Sequence, residues 1–185
     1  MIKKWVGIFC FIFMMVTTVV WAKPDSAYWD NGNGTVTDLE TRLMWQQATD
    51  PSEMNWDGAM SYCGGMSLAG YKDWRLPTIY ELKTLVDKSW GNNPTINRTF
   101  FPGTVSSFIP GWVTSFYWSS TTQAYYTLYA WGVHFNLGSD DYLLKYYSYY
   151  VRAVRGGLSG SDNLVISPLS QMVTKDAGTE RDLNK

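Results

Sequence analysis

Asp73-Trp74-Arg75-Leu76-Pro77-Thr78-Ile79-Tyr80-Glu81-Leu82 is the stretch on which the fold reading turns. Thr78 followed three residues later by Glu81 forms the two halves of a capping box, so a helix starts here. Ile79, Leu82, Leu85 and Val86 then fall on one apolar face. Upstream, Trp74 is expected to fill the core, with Arg75 held by a carboxylate such as Asp73 or Glu81 rather than acting as an anion clamp. Arg152 and Arg155 take the same structural reading. A second helix is predicted over 55–67, where Trp56, Ala59, Met60 and Cys63 recur at helical spacing and Gly64-Gly65 ends the run.

On the N-terminal side, 28–47 reads as paired strands. Asp30-Asn31-Gly32-Asn33-Gly34 is a dense turn cluster, and Asp38 to Arg42 forms a polar turn before Leu43-Met44-Trp45. The first cluster is a tight turn rather than a calcium loop, because it lacks the alternating oxygen ligands and the distal Glu. On the C-terminal side, 88–115 is an irregular connection carrying Gly, Asn and Pro with Trp90, Phe100, Phe101 and Trp112 between them. Its aromatic content predicts an ordered, packed loop. From 116 the period becomes two. Tyr129, Trp131, Val133, Phe135 and Leu137 form the apolar side of a half-buried strand, which leaves His134 exposed on the other side. Gly138-Ser139-Asp140-Asp141 is expected to turn the chain into a partner strand from Tyr146 to Arg155, and 158–185 reads as a polar tail. These elements make an α+β domain with small antiparallel sheets, two helices and a long loop region.

The first 22 residues have another purpose. Lys3 and Lys4 precede an apolar run from Trp5 to Val20, and Val20-Trp21-Ala22 closes it, the parts of a secretory signal peptide cut after Ala22. Membrane attachment would arise only if this leader stayed uncut. Cys10 lies in mid-run, which argues against a lipid-anchored cysteine. Removing 1–22 leaves Cys63 as the one cysteine, so no internal disulfide can form, and a small buried hydrophobe is its expected fate. The whole chain of 185 residues carries 15 basic and 16 acidic side chains, a balance that excludes phosphate-neutralising nucleic-acid binding. One His and two Cys give little material for a metal site, and no cofactor is implied. No Gly-x-Ser-x-Gly elbow accompanies His134, so serine hydrolysis is not indicated.

Four segments carry a resemblance: Tyr28 to Trp45, Gly70 to Thr78 with Glu81-Leu82, Tyr117-Trp118-Ser119-Ser120, and Tyr150 to Gly157. Together they resemble the Lcl C-terminal domain family, named for part of a bacterial collagen-like adhesin, across 28–157. The resemblance implies a C-type-lectin-like fold related to the formylglycine-generating enzymes. Its first and last strands would pair, two helices would flank them, and a long loop region would carry ligands. It further implies an exported or surface protein, periplasmic, cell-surface or secreted, whose named relative recognises sulfated polysaccharides. The calcium-binding triplet of lectins of this fold is absent, as is the reactive cysteine pair of the related enzymes.

Residues 116–150 hold 13 aromatics in 35 positions, and Tyr146-Tyr147-Ser148-Tyr149-Tyr150 must send rings to both sides of the chain. Some therefore reach solvent, where Tyr and Trp make rigid contact platforms. The expectation is a non-enzymatic binding domain for a glycan or a cell-surface protein. Its candidate contacts are Trp90, Trp112, Tyr125, Tyr126, Tyr142 and Tyr147, the aromatics in or beside loops. The alternative is a structural subunit or homo-oligomer that buries the rings against partners. An enzyme akin to the formylglycine-generating group is the remote third reading.

Overall fold

A computed structural model describes residues 23–91, 94–109, 112–113 and 115–156; for 108–109 and 112–113 it describes the backbone alone. The leader 1–22 and the tail 158–185 lie outside the described residues. The architecture is α+β. Strands β1 (Tyr28–Asp30), β2 (Thr35–Asp38) and β3 (Leu43–Gln46) form an antiparallel meander, so 28–47 yields three strands. The first turn is closed by its own side chains: Asp30 Oδ1 accepts from Gly32 N at 2.8 Å, and Thr35 Oγ1 donates to Asn33 Oδ1 at 2.6 Å. Gly32 and Gly34 take φ of 69° and 83° there, a region that favours glycine.

Helix α1 (Trp56–Gly65) is capped by Asn55, whose side chain accepts from Gly58 N, and it buries Ala59 and Cys63. Met60 is exposed, so the apolar stripe is narrower than its spacing suggested. Burial pushes the Cys63 thiol up to about 12, in keeping with a packed hydrophobe. Helix α2 (Ile79–Lys83) has the full capping box. Ahead of it, Arg75 and Val154 exchange both backbone hydrogen bonds at 2.9 Å, and Pro77 O accepts from Ser120 N at 2.7 Å. The segment is thereby pinned to two different sheets.

The long connection is packed, as its rings suggested. Thr95, Ile96, Asn97 and Phe101 are buried, and Thr95 donates to Phe135 O through both its backbone N and its hydroxyl. Its far end forms a small ribbon of β4 (Phe108–Ile109) and β5 (Trp112–Val113).

Beyond the ribbon, β6 (Phe116–Thr122), β7 (Tyr129–His134) and β8 (Ser139–Leu144) make an antiparallel sheet in that order. Here the structure corrects the sequence reading twice. The turn lies at 135–138, closed by Gly138 N donating to His134 O with Gly138 at φ 64°, so Ser139-Asp140-Asp141 begins a strand. Polar residues are tolerated there because β8 is the outer strand, exposed along most of its length. The stretch from Tyr146 is no partner strand. Its one strand, β9 (Val154–Gly156), joins the N-terminal sheet, whose order is β1-β2-β3-β9. The last strand thus enters the first sheet beside β3, not beside β1.

The sheet β6-β7-β8 has a core on each side. Tyr117, Val133 and Phe135 face a cluster with Leu82, Leu85, Ile96, Phe101, Trp45 and Val154. Phe116, Trp118, Ala130 and Leu143 face a second cluster with Ala59, Cys63, Trp74, Leu76, Val151 and Ala153. His134 is consequently fully buried, not exposed, and neither ring nitrogen finds a hydrogen-bond partner. A strand covered on both faces buries every second residue of either set.

Candidate functional site

Register builds the site. β7 and β8 align Trp131 with Tyr142 and Tyr129 with Leu144, which sets Tyr129, Trp131 and Tyr142 on one face. The rings then run in sequence, each nearly perpendicular to the next: Tyr126 to Tyr129 at 6.1 Å, Tyr129 to Tyr142 at 5.5 Å, and Tyr142 to Trp131 at 5.8 Å. Edge-to-face contacts at such distances hold rings in place without covering them.

The loop feeding β7 keeps its rings out of the core. Gln123 accepts from the backbone of Tyr125 and Tyr126, and Tyr129 N donates to Tyr126 O. With the chain folded tightly on itself, Tyr125 and Leu128 project outward at 88% and 72% exposure. Beyond β8 a second turn is closed by Tyr147 N donating to Leu144 O, and the Tyr146 and Tyr147 rings lie 4.3 Å apart. A hydrogen bond that the Tyr146 hydroxyl donates to Tyr147 is the main influence that pushes its pKa up; Tyr129 and Tyr149 are near enough to add to it. Tyr126, Tyr142, Tyr146 and Tyr147 are all exposed.

Of the six residues singled out from sequence, four therefore stand in one region: Tyr125, Tyr126, Tyr142 and Tyr147. Trp90 does not join them through any ring contact; it is half-buried in a short 3-10 turn, with the Arg98 guanidinium 5.8 Å over its ring. The side chain of Trp112 lies outside the described residues. Tyr129, Trp131, Leu128 and Tyr146 belong to the surface and were missed. Once the turn is placed at 135–138, the alternation of β7 against β8 identifies Tyr129 and Trp131.

The arginines serve the scaffold. Arg75 forms a two-pronged pair with Glu81 at 2.8 and 2.6 Å and also donates to Gly156 O. Burial pushes the Glu81 carboxyl up, but the hydrogen bonds from Arg75 and Thr78 outweigh it and the net shift is downward. Asp73 takes Arg155 instead, at 2.8 and 3.0 Å, while that guanidinium lies 3.7 Å over the Tyr71 ring. Arg152 departs from the expected carboxylate pairing. Fully buried, it donates to the Thr49 and Thr104 hydroxyls at 2.8 and 2.9 Å and lies 4.7 Å over Phe101. Ring faces and hydroxyls take the place of the acid, and burial pushes its pKa down.

The geometry defines a class: an α+β domain whose three-stranded sheet carries a row of aromatic rings, two of them, Tyr126 and Tyr142, exposed. Comparison with known families supplies the rest. The model of the Lcl C-terminal domain matches residues 34–155, and the chain belongs to that family, which makes it an adhesin-related domain. A search of curated proteins finds no match for it. Among the described residues no helix is long and apolar enough to cross a membrane.

Proposed function

We propose that this is an exported, non-enzymatic binding domain of C-type-lectin-like fold that takes a glycan of the cell surface or its surroundings on the row Tyr126–Tyr129–Tyr142–Trp131. The observation that carries the reading is that row: four rings braced against one another at the edge of a sheet with a core on both sides, with Tyr126 and Tyr142 open to solvent and Tyr129 and Trp131 half-buried beneath them. Tyr hydroxyls at the rims supply donors and acceptors, and the ring faces and edges supply apolar contact for sugar C–H groups. Two groups that could do covalent chemistry are withdrawn from solvent, Cys63 and His134, which favours binding over catalysis. Family membership supports a role outside the cell.

The test is a glycan array probed with the wild-type protein and with Tyr126→Ala, Tyr142→Ala and Tyr147→Ala. Each substitution should weaken the best glycan by about tenfold, the equivalent of ~1.4 kcal/mol, while circular dichroism stays unchanged. Undiminished binding in the triple variant refutes the site, and capture of a surface protein by the wild type alone replaces the glycan with a protein partner. The second reading, self-association, draws on the neighbouring exposure of Tyr125 and Leu128. Light scattering decides it: a monodisperse monomer at high concentration eliminates an oligomer built on this surface.

A further inference from the structure

Lys23 is held at four points. Its Nζ lies 2.6 Å from Asp38 Oδ2, 3.4 Å from Glu40 Oε2 and 4.7 Å above the Tyr28 ring, with the side chain only 12% exposed. Its backbone nitrogen donates to Asp87 Oδ2 at 3.2 Å. Asp87 itself is buried at 6% exposure, and its other bonds come from the backbone and hydroxyl of Ser89 at 2.9 and 2.6 Å. All of these donors are neutral, and among the described residues no cation lies within ion-pair distance of Asp87. A buried carboxylate normally has a cationic partner. Among the described residues this one has none.

The missing charge lies one bond away. The leader pattern ends at Val20-Trp21-Ala22, so the atom that a signal peptidase would release is the nitrogen already aimed at Asp87. We propose that the chain is cut between Ala22 and Lys23 and that the released α-ammonium is a structural group, the counter-ion of Asp87. Water adds across the amide, Ala22 leaves as a carboxylate on the leader, and the Lys23 amine takes up a proton at neutral pH. A neutral N–H···carboxylate bond becomes a charge-assisted one with no movement of the chain. Lys23 is clamped in the folded state, so the cut precedes folding, and the finished fold then locks the new terminus down. The proposal rests on the leader reading of 1–22 and is independent of the aromatic surface.

Other charges face the same cleft: Lys83 paired to Asp140 at 2.9 Å, and Lys88 at its rim. With Asp38 and Glu40 engaged by the Lys23 side chain, Asp87 is the acid left for the α-amine.

The test begins with the full chain exported under its own leader, followed by N-terminal sequencing. A start at Lys23 is expected; an uncut chain, or a start elsewhere, overturns the proposal. Asp87→Asn is then compared in the exported protein and in a leaderless chain beginning Met-Lys23, where that nitrogen is an amide. The substitution should lower the melting temperature by roughly 5 °C in the first and by less than half of that in the second. Equal losses overturn the ion pair even if the cut is confirmed. Should Asp87→Asn fail to fold, acylation of the wild-type α-amine at neutral pH replaces it. The reaction should run about tenfold slower than in a free Lys-Pro-Asp-Ser-Ala peptide, as for an amine whose protonated form is stabilised by one pKa unit; equal rates refute the pair.

Discussion

Replacing His134 with Leu should stabilise this protein, and more so as the pH falls. The imidazole is fully buried beside Phe116, with ring centroids 5.3 Å apart, and both nitrogens lack partners. Each buried polar group left without a hydrogen bond costs ~1–3 kcal/mol, while a swap to a hydrophobe of similar volume costs below ~1.5 kcal/mol. The balance at pH 7.5 is a gain of ~1 kcal/mol for His134→Leu. For about 130 residues taken as the cooperative unit and ~2.1 cal/mol/K per residue, this raises the melting temperature by ~4 °C. Burial also lowers the His134 pKa from its ordinary 6.5. The unfolded chain therefore binds the proton more readily, so the stability present above pH 6.5 is lost as pH falls toward the folded value. The wild type thus forfeits stability on acidification that the Leu variant keeps, and the gap widens as the pH falls below 6.5. Differential scanning calorimetry at pH 7.5, 6 and 5 measures it. A variant less stable than wild type at pH 7.5, or a gap that does not grow on acidification, refutes the reasoning.

Two further outcomes follow from the packing. Glu81→Gln should cost ~1 kcal/mol near pH 7, because the carboxylate serves the Thr78 backbone and Arg75 together. Its folded pKa is lowered, so that stability is present above the unfolded value and disappears as pH falls through the folded one; urea titrations of both proteins should draw together as the pH falls below the ordinary carboxylate value. Gly132→Ala should lose ~1–3 kcal/mol in the same assay. The new Cβ would stand 2.8 Å from Leu143 Cδ1 and 2.9 Å from the Tyr117 carbonyl oxygen, and the latter is a sheet backbone atom that cannot turn aside.

Much of this fold is written in short stretches. Thr78 and Glu81 state their helix, Asp30 to Gly34 states its turn, and the aromatic surplus after residue 116 announces rings that the core cannot all hold. Each of these signals acts between residues a few positions apart, so it survives without knowledge of the fold. Family membership was legible for the same reason, through segments such as Gly70 to Thr78.

The rest required distant segments to meet. Ser139-Asp140-Asp141 has a loop's composition and forms a strand only because β7 offers it an edge. His134 looks like the wet side of an alternating strand, yet Phe116, from another strand, closes over it. Arg152 lies between Thr49 and Thr104, far from it in the chain, and no spacing rule connects the three. The same holds for the site: the sequence alone determined that Tyr and Trp would be in surplus near β7 and β8, whereas cross-strand register decided which rings stand together. Local propensity depends on neighbours along the chain, but burial and ring contact depend on which surfaces the folded chain presses together, and those only the tertiary structure selects.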